Sequence, residues 1–239
     1  MKQQTKLVGE FVLIVVGVLV ALAVETALED RHDAGLRDEY IARIKADVEA
    51  DKRAIANRVE FFTSVQQFCN DVLYWLKSDA PVDQQVVLAS FYAAEVWPFV
   101  PSSDTYQDLQ NTGNIRLLDD IDLRTNLSAY YNKAKLSQSG WDPTEDYRAI
   151  IRGIIPNDVQ RQIRENCPTT EALDQTPTGF PPCQLPDVDY ELIARLFSPL
   201  KDDLTLYRTL TYRESEVGVM VYLLQQQLKL ADDVLRQIG

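Results

Sequence analysis

Any chemistry in this chain falls to a small set of side chains. Histidine, the commonest general base and metal ligand, occurs once, as His32 in EDRHDAG. No recognisable motif places a nucleophile with it, so the plain reading is a solvated imidazole. Carboxylates cluster at Asp119, Asp120 and Asp122, at Asp202 and Asp203, and at Asp232 and Asp233. Paired carboxylates can hydrolyse glycosides or hold calcium. Adjacent helical residues, however, point about 100° apart, and DDIDLRTNLSAY lacks the D-x-D-x-D-G loop of an EF-hand. Asp119 and Asp120 fit better as charges at a helix N-terminus. Gly113, Gly140 and Gly153 are isolated, and neither G-x-x-x-x-G-K-[ST], G-x-G-x-x-G nor C-x-x-C-H occurs. The reading is that the chain is not an enzyme and that it uses no cofactor and no metal.

Cysteine offers a structural reading instead. Cys167 and Cys183 bracket CPTTEALDQTPTGFPPC, which holds four of the eleven prolines. A helix-poor loop with a cysteine at each end is what a disulfide closes, and disulfides persist in oxidising compartments. Two unrelated buried thiols are the alternative; zinc is disfavoured because neither cysteine has a C-x-x-C partner or a nearby His. Cys69, in FFTSVQQFCNDVLYWL, reads as a core thiol.

What must position these groups begins with GEFVLIVVGVLVALAVETALEDR. From Phe11 to Val24 there is no charge, and back to Leu7 the only one is Glu10. Eighteen residues of helix span about 27 Å, close to the hydrocarbon core of about 30 Å. A cleaved signal is the rival, since Lys2 and Lys6 make a basic n-region and Ala21-Leu22-Ala23 fits an A-x-A site. Glu10 inside the h-region and the absence of a helix breaker favour a retained anchor. Residues 1–6 are then a short cytoplasmic N-terminus, 7–28 a transmembrane helix, and 29–239 an extracytoplasmic helical domain with a Pro-rich loop at 167–186. Basic residues lie closest to the span on its N-terminal side, which orients it N-in and C-out. The expected location is a bacterial inner membrane, single-pass, with the domain in the periplasm. A formal charge of −12 argues against nucleic acid.

Beyond the span, Leu36, Tyr40, Ile44, Val48, Ile55, Val59, Phe62, Cys69, Val72 and Leu76 recur at helical spacing, as do Leu204, Tyr207, Thr211, Val217, Val221, Leu224, Leu228, Ala231, Leu235 and Ile238. Each pattern predicts a helix of about 40 residues, roughly 60 Å long, and the two pair antiparallel like a coiled coil. Shorter helices are expected from Val82 to Trp97, from Thr105 to Thr112 capped by Ser103 or Asp104, from Asp120 to Gln138 capped by Asp119, from near Pro143 to a break at Pro156, and from Asp187 to Phe197. No run alternates like a strand. The fold class is all-α.

TYQDLQNTGNIRLLDDIDLRTNLSAYY, residues 105–131, reads as a helical corner. Gly113 turns left-handed to end one helix, Asn114 bonds the turned backbone, and Tyr106, Leu109, Leu123, Leu127 and Tyr130 face the core. With the span GEFVLIVVGVLVAL, this segment resembles a family of uncharacterised bacterial single-span membrane proteins. Members carry a GE-hydrophobic anchor and a T-[YF]-x-x-L-x-x-[ST]-G-N-[IL]-x-L-[IL]-x-[DN]-x-x-L-R-x-x-L-x-x-YY segment, matched here at Thr105, Tyr106, Leu109, Gly113, Asn114, Leu117, Leu118, Leu123, Arg124, Leu127, Tyr130 and Tyr131. The Asn-Trp pair that members often have after the span is replaced by Glu25-Thr26-Ala27-Leu28. The resemblance implies a retained anchor on a helical protein and supplies no activity.

Candidates for contact with a partner are Glu10 and Gly17 within the span, and Trp97 and Phe99 in the WPF loop, with Tyr131 and Trp141 as further candidates for exposed aromatics. The plainer readings are interfacial pairing of Glu10 with Lys6 and core packing for the aromatics. The expected function is a non-catalytic accessory or scaffold subunit of a larger inner-membrane complex, respiratory or photosynthetic for example, in contact with membrane lipid and other membrane-protein subunits. Homo-oligomers are also compatible with the pattern. The alternative is an extracytoplasmic ligand-sensing module acting through a partner protein.

Overall fold

The stripe of apolar residues running from Leu36 to Leu76 needs a second helix to cover it, and the C-terminal stripe supplies one. In a computed structural model, α1 (Lys2–Leu76) pairs with α8 (Leu204–Ile238), the first about 110 Å long and the second about 50 Å. Between them lie α2 (Gln84–Tyr92), α3 (Asp104–Asn111), a 3-10 turn (Asn114–Leu117), α4 (Ile121–Ser139), α5 (Glu145–Ile154), α6 (Asn157–Asn166), α7 (Tyr190–Phe197) and a second 3-10 turn (Ser198–Asp202). The one sheet among the described residues pairs β1 (Thr170–Glu171) with β2 (Pro177–Gly179), antiparallel. The structure describes residues 2–97, 101–139, 145–167, 170–171, 177–180, 182–186 and 188–239. Their side chains are described from residue 13 onward, except at 136–139, 145, 170–171 and 177–179.

The pairing is antiparallel, as the spacing predicts. Near the start of α1, Tyr40, Ile44 and Val48 meet Ala231 and Val234. Midway, Ile55, Phe62 and Val65 meet Val217, Met220 and Leu224. At the far end, Val72 and Trp75 share a core with Leu206 and Leu210. From residue 48 on, the buried seam of α1 runs through 48, 51, 55, 58, 62, 65, 69, 72 and 76, with Phe61 and Trp75 buried beside it, and on α8 buried positions fall at 206, 210, 213, 217, 220, 224, 227, 231 and 234. Steps alternating between three and four residues are the seam of a left-handed coiled coil. Four seam positions are polar: Asp51, Arg58, Arg213 and Gln227.

Several expected ends move, each for a local reason. Helix α2 stops at Tyr92 instead of reaching Trp97, because the carbonyls that follow are taken by arginines: Arg213 and Arg148 donate to those of Ala93 and Ala94 at 3.2 and 2.7 Å. Asp120, not Asp119, caps α4, its carboxylate accepting from the amides of Asp122 and Leu123 at 2.8 and 3.1 Å. Helix α7 begins at Tyr190 instead of Asp187, where the Asp189 carboxylate receives the Leu192 amide. Ser103 precedes α3 without capping it, since its hydroxyl accepts from the Gln107 amide at 2.6 Å. Pro156 separates α5 from α6 as expected. Pro143, where the helix before Pro156 was expected to begin, lies outside the described residues.

The expected span corresponds to the first third of α1. From Leu13 to Leu28 its apolar side chains are exposed on every face, Leu13 at 75% and Leu28 at 61%. Among the described residues no helix is long and apolar enough to cross a membrane. A run starting at residue 13 takes in Glu25, Glu29 and Asp30 before it reaches the length of about 20 residues that crossing requires. Residues 7–12 of the expected span have no described side chain.

Candidate functional site

Three regions hold the residues singled out by the sequence: the bare apolar segment, the corner at 105–131, and the end closed by the cysteine loop.

On the bare segment, a Cβ added at Gly17 would meet nothing within 4 Å, so this glycine touches no other element of the chain. The side chain of Glu10 lies outside the described residues. His32, exposed just beyond the segment, borders a polar groove with Leu28, Glu29, Asp33 and Arg116. Ion pairs from Arg116 to Asp33 at 3.7 Å and from Arg37 to Asp119 at 3.4 Å hold the 3-10 turn and the start of α4 against α1.

The corner is built as the sequence implies. Gly113 has φ +75°, the left-handed conformation that favours glycine, and ends α3. Tyr106, Leu109, Leu123, Leu127 and Tyr130 are buried against Tyr40, Ile44, Val48, Ala231 and Val234. Asn114 does not bond the local backbone; its amide donates to the Tyr40 hydroxyl at 3.3 Å, and that hydroxyl donates to Asp108 at 2.9 Å. Thr105 donates to Asp47 at 2.5 Å. Tyr131, a candidate for an exposed aromatic, is buried with its ring stacked on Tyr106 at 4.4 Å.

Beneath the corner sits a residue that the periodicity did not mark. Asp51 is 5% exposed and accepts from the Tyr130 hydroxyl at 2.8 Å and the Ser102 amide at 3.0 Å. Burial raises its carboxyl above the ordinary 3.8, against the pull of those two donors. Burial and the Asp51 charge push the Tyr130 hydroxyl strongly upward. Gln227 of α8 completes the layer by donating to the Tyr130 carbonyl at 2.9 Å. The Tyr131 hydroxyl, also buried, has no hydrogen-bond partner among the described residues. Asp51, Tyr130 and Gln227 are bonded within the layer, and all four side chains are buried.

At the far end Cys167 and Cys183 form a disulfide, with Cα atoms 5.2 Å apart. Gln84 of α2 ties the loop down: its amide donates to the Cys183 carbonyl at 3.0 Å while its oxygen accepts from the Leu185 amide at 2.8 Å. Cys69 is a free, fully buried thiol, pushed up to about 12 by burial, which leaves it unreactive near neutrality. Trp97 is half-buried with its ring 6.5 Å from that of Phe61, so it packs on its own chain. Phe99 and Trp141 lie outside the described residues. Between the loop, α2 and the last turns of α1 opens a cleft of about 650 Å³.

The acidic clusters do not converge. Asp203 caps α8 through the amides of Thr205 and Leu206, and Asp232 pairs with Lys52 at 2.6 Å. Among the described residues no three His, Cys, Asp or Glu are grouped to hold a metal ion. Comparison with protein-family models, with curated proteins and with solved structures finds no match to this chain.

Proposed function

We propose that the chain is a non-catalytic, membrane-anchored scaffold subunit of a larger inner-membrane assembly, with residues 7–28 spanning the bilayer and the bundle on the periplasmic side. The observation that carries this reading is the distribution of exposed apolar surface. It covers every face of α1 from Leu13 to Leu28, whereas beyond Leu28 the eight large apolar residues exposed among the described residues, Tyr74, Ile121 and Tyr222 among them, are spread over α1, α4, α7 and α8. A helix apolar all round needs either a protein core or lipid about it, and no other described element of this chain covers the segment. With 7–12 included, only Glu10 is charged before Glu25. The disulfide fits an oxidising compartment, and the resemblance of the span and corner segments to single-span proteins points the same way.

Continuity of α1 adds a mechanical argument. The apolar segment enters the bundle without a linker, so the far end is held at a fixed distance, about 70 Å along the helix from Leu28 to Leu76. A rigid stalk suits positioning of neighbours better than tethering. The test is gentle extraction from native membranes followed by native mass and subunit content. A stoichiometric set of other subunits is the expected result. Release of the protein by an alkaline carbonate wash, as peripheral proteins are released, would remove the anchor and the scaffold with it.

A second reading, a ligand-sensing module acting through a partner, is favoured by one observation, the cleft beside the disulfide loop. Its volume lies within the range of about 300–1,000 Å³ of small-molecule sites. A ligand-dependent shift in melting temperature is its signature.

A further inference from the structure

The cleft has a chemistry of its own. Its floor is aromatic: Phe68 of α1, Tyr92 of α2 and Phe180 of the loop lie with ring centroids 4.5 to 5.2 Å apart. Trp75 continues the wall, and Tyr74 stands at the lip with 76% of its surface exposed. A tyrosine so exposed beside an apolar cleft offers a π-face at little conformational cost. Asp71 and Asp83 supply charge at the rim. Asp71 is bonded by the Gln67 amide at 2.8 Å, and Asp83 caps α2 through the Val86 amide at 2.9 Å. Each carboxylate keeps lone pairs for a further donor.

No described lining residue is basic. The primary structure explains why. Residues 78–115 contain no Lys, Arg or His, and neither do residues 167–194, so both segments that frame the cleft opposite α1 come from base-free stretches. Lys201, which donates to the carbonyls of Ser78 and Ala80 at 2.8 and 2.9 Å, lies over the Trp75 ring without lining the cleft. An anionic ligand would meet two carboxylates and no basic side chain in the described lining, with Lys201 engaged by the Ser78 and Ala80 carbonyls. A metal ion would find no group of three ligands among the described residues. An ammonium group would find two carboxylates and π-faces, which attract cations, while its apolar body fills the floor.

We propose that this cleft binds an organic cation: a primary or quaternary amine carried on an aromatic or aliphatic body. The proposal rests on the ligand-binding reading and is independent of the anchor. Asp71 and Asp83 bind the ammonium, Tyr74 stacks over it, and Phe68, Tyr92 and Phe180 hold the body. The cleft lies about 65 Å along α1 from Leu28, at the end of the stalk farthest from the apolar segment.

Three probes that share a phenyl body separate the possibilities: 2-phenylethylamine, 2-phenylethanol and 3-phenylpropionate, each titrated calorimetrically into the full chain in lipid nanodiscs against empty discs. The amine is expected to bind about tenfold tighter than the alcohol, as two rim carboxylates and one cation–π contact allow, and the anion weakest. Asp71→Asn with Asp83→Asn is expected to erase the difference between amine and alcohol while leaving the alcohol unchanged. Asparagine keeps the α2 cap, and an unaltered melting temperature of the free variant confirms that the fold is intact. Tyr74→Ala, at an exposed position, is expected to weaken the amine about threefold, the loss of one exposed cation–π contact. Equal binding of amine and alcohol, or tighter binding of the anion, would overturn the cation assignment and leave an apolar ligand site standing. No binding of any probe would overturn the proposal together with the ligand-binding reading, and the scaffold reading would then rest on the extraction experiment alone.

Discussion

The two ends of the bundle close the groove between α1 and α8 in different ways. The end nearest the apolar segment is closed by one contiguous stretch, residues 105–131, folded back at Gly113 and locked onto a buried carboxylate. The far end is assembled from α2, α5, α6 and α7, short helices too small to cover it alone, and a disulfide fastens the loop that completes it. Closure by a corner buries Asp51, Tyr130 and Gln227 as a bonded layer, with the Tyr131 hydroxyl buried beside it. Closure by a fastened loop leaves a cleft lined with aromatic rings. The difference is one of construction: a buried polar layer at the end near the apolar segment, an aromatic-lined cleft at the other.

The sharpest way to break the base is to hollow it. Leu109 is fully buried there, and Leu109→Ala is expected to cost about 2–5 kcal/mol, measured by equilibrium urea unfolding. Cys167→Ser with Cys183→Ser tests the tip. Losing a crosslink between residues 16 apart is expected to cost roughly 3 kcal/mol, and amide exchange should quicken in α6 and α7 while α3 and α4 keep their protection. Equal loss of protection at both ends would mean that the two closures are not separate.

Adjacent tyrosines refine the picture of the base. Tyr130→Phe removes the hydroxyl donating to Asp51 and is expected to cost about 1.5–3 kcal/mol, the range for a hydrogen bond to a charged group. A pH titration of the melting temperature reads Asp51 itself. Its carboxyl is raised above 3.8 in the folded state, so its contribution is fully present below 3.8 and is lost as pH rises through the raised value. Asp51→Asn should flatten that part of the profile. Smallest of all is Tyr131→Phe, which deletes a buried hydroxyl without a partner among the described residues. It is expected to change stability by less than about 0.5 kcal/mol, or to raise it. A cost equal to that of Tyr130→Phe would show that the Tyr131 hydroxyl is bonded after all.

Sequence alone determined what local physics controls. Helical spacing predicted two long helices and their antiparallel pairing, Gly113 announced the left-handed end of α3, and Pro156 the break between α5 and α6. Two cysteines flanking a proline-rich loop announced the disulfide. Caps were legible only to within a residue or so, because neighbouring acids such as Asp119 and Asp120 compete for the same role and packing chooses between them.

Tertiary structure alone decided which polar residues are buried. Asp51, Arg58, Arg213 and Gln227 occupy seam positions, yet a periodicity built on apolar residues passes over them. Burying a polar group costs least when partners arrive from elsewhere, and the partners of Asp51 are 51 residues away in Ser102 and 79 away in Tyr130. The same holds for the aromatic residues. By sequence Tyr131 is a candidate for an exposed aromatic, and only the approach of Tyr106 assigns it to the interior, while Trp97 stays half-buried beside Phe61. The cleft is the extreme case, since the end of α1 and α2 meet a loop after Cys167 that lies far along the chain, Gln84 and Cys183 being 99 residues apart. Spacing in the sequence records which face of a helix is apolar; it does not record which distant segment will cover that face, or where covering stops short and leaves space.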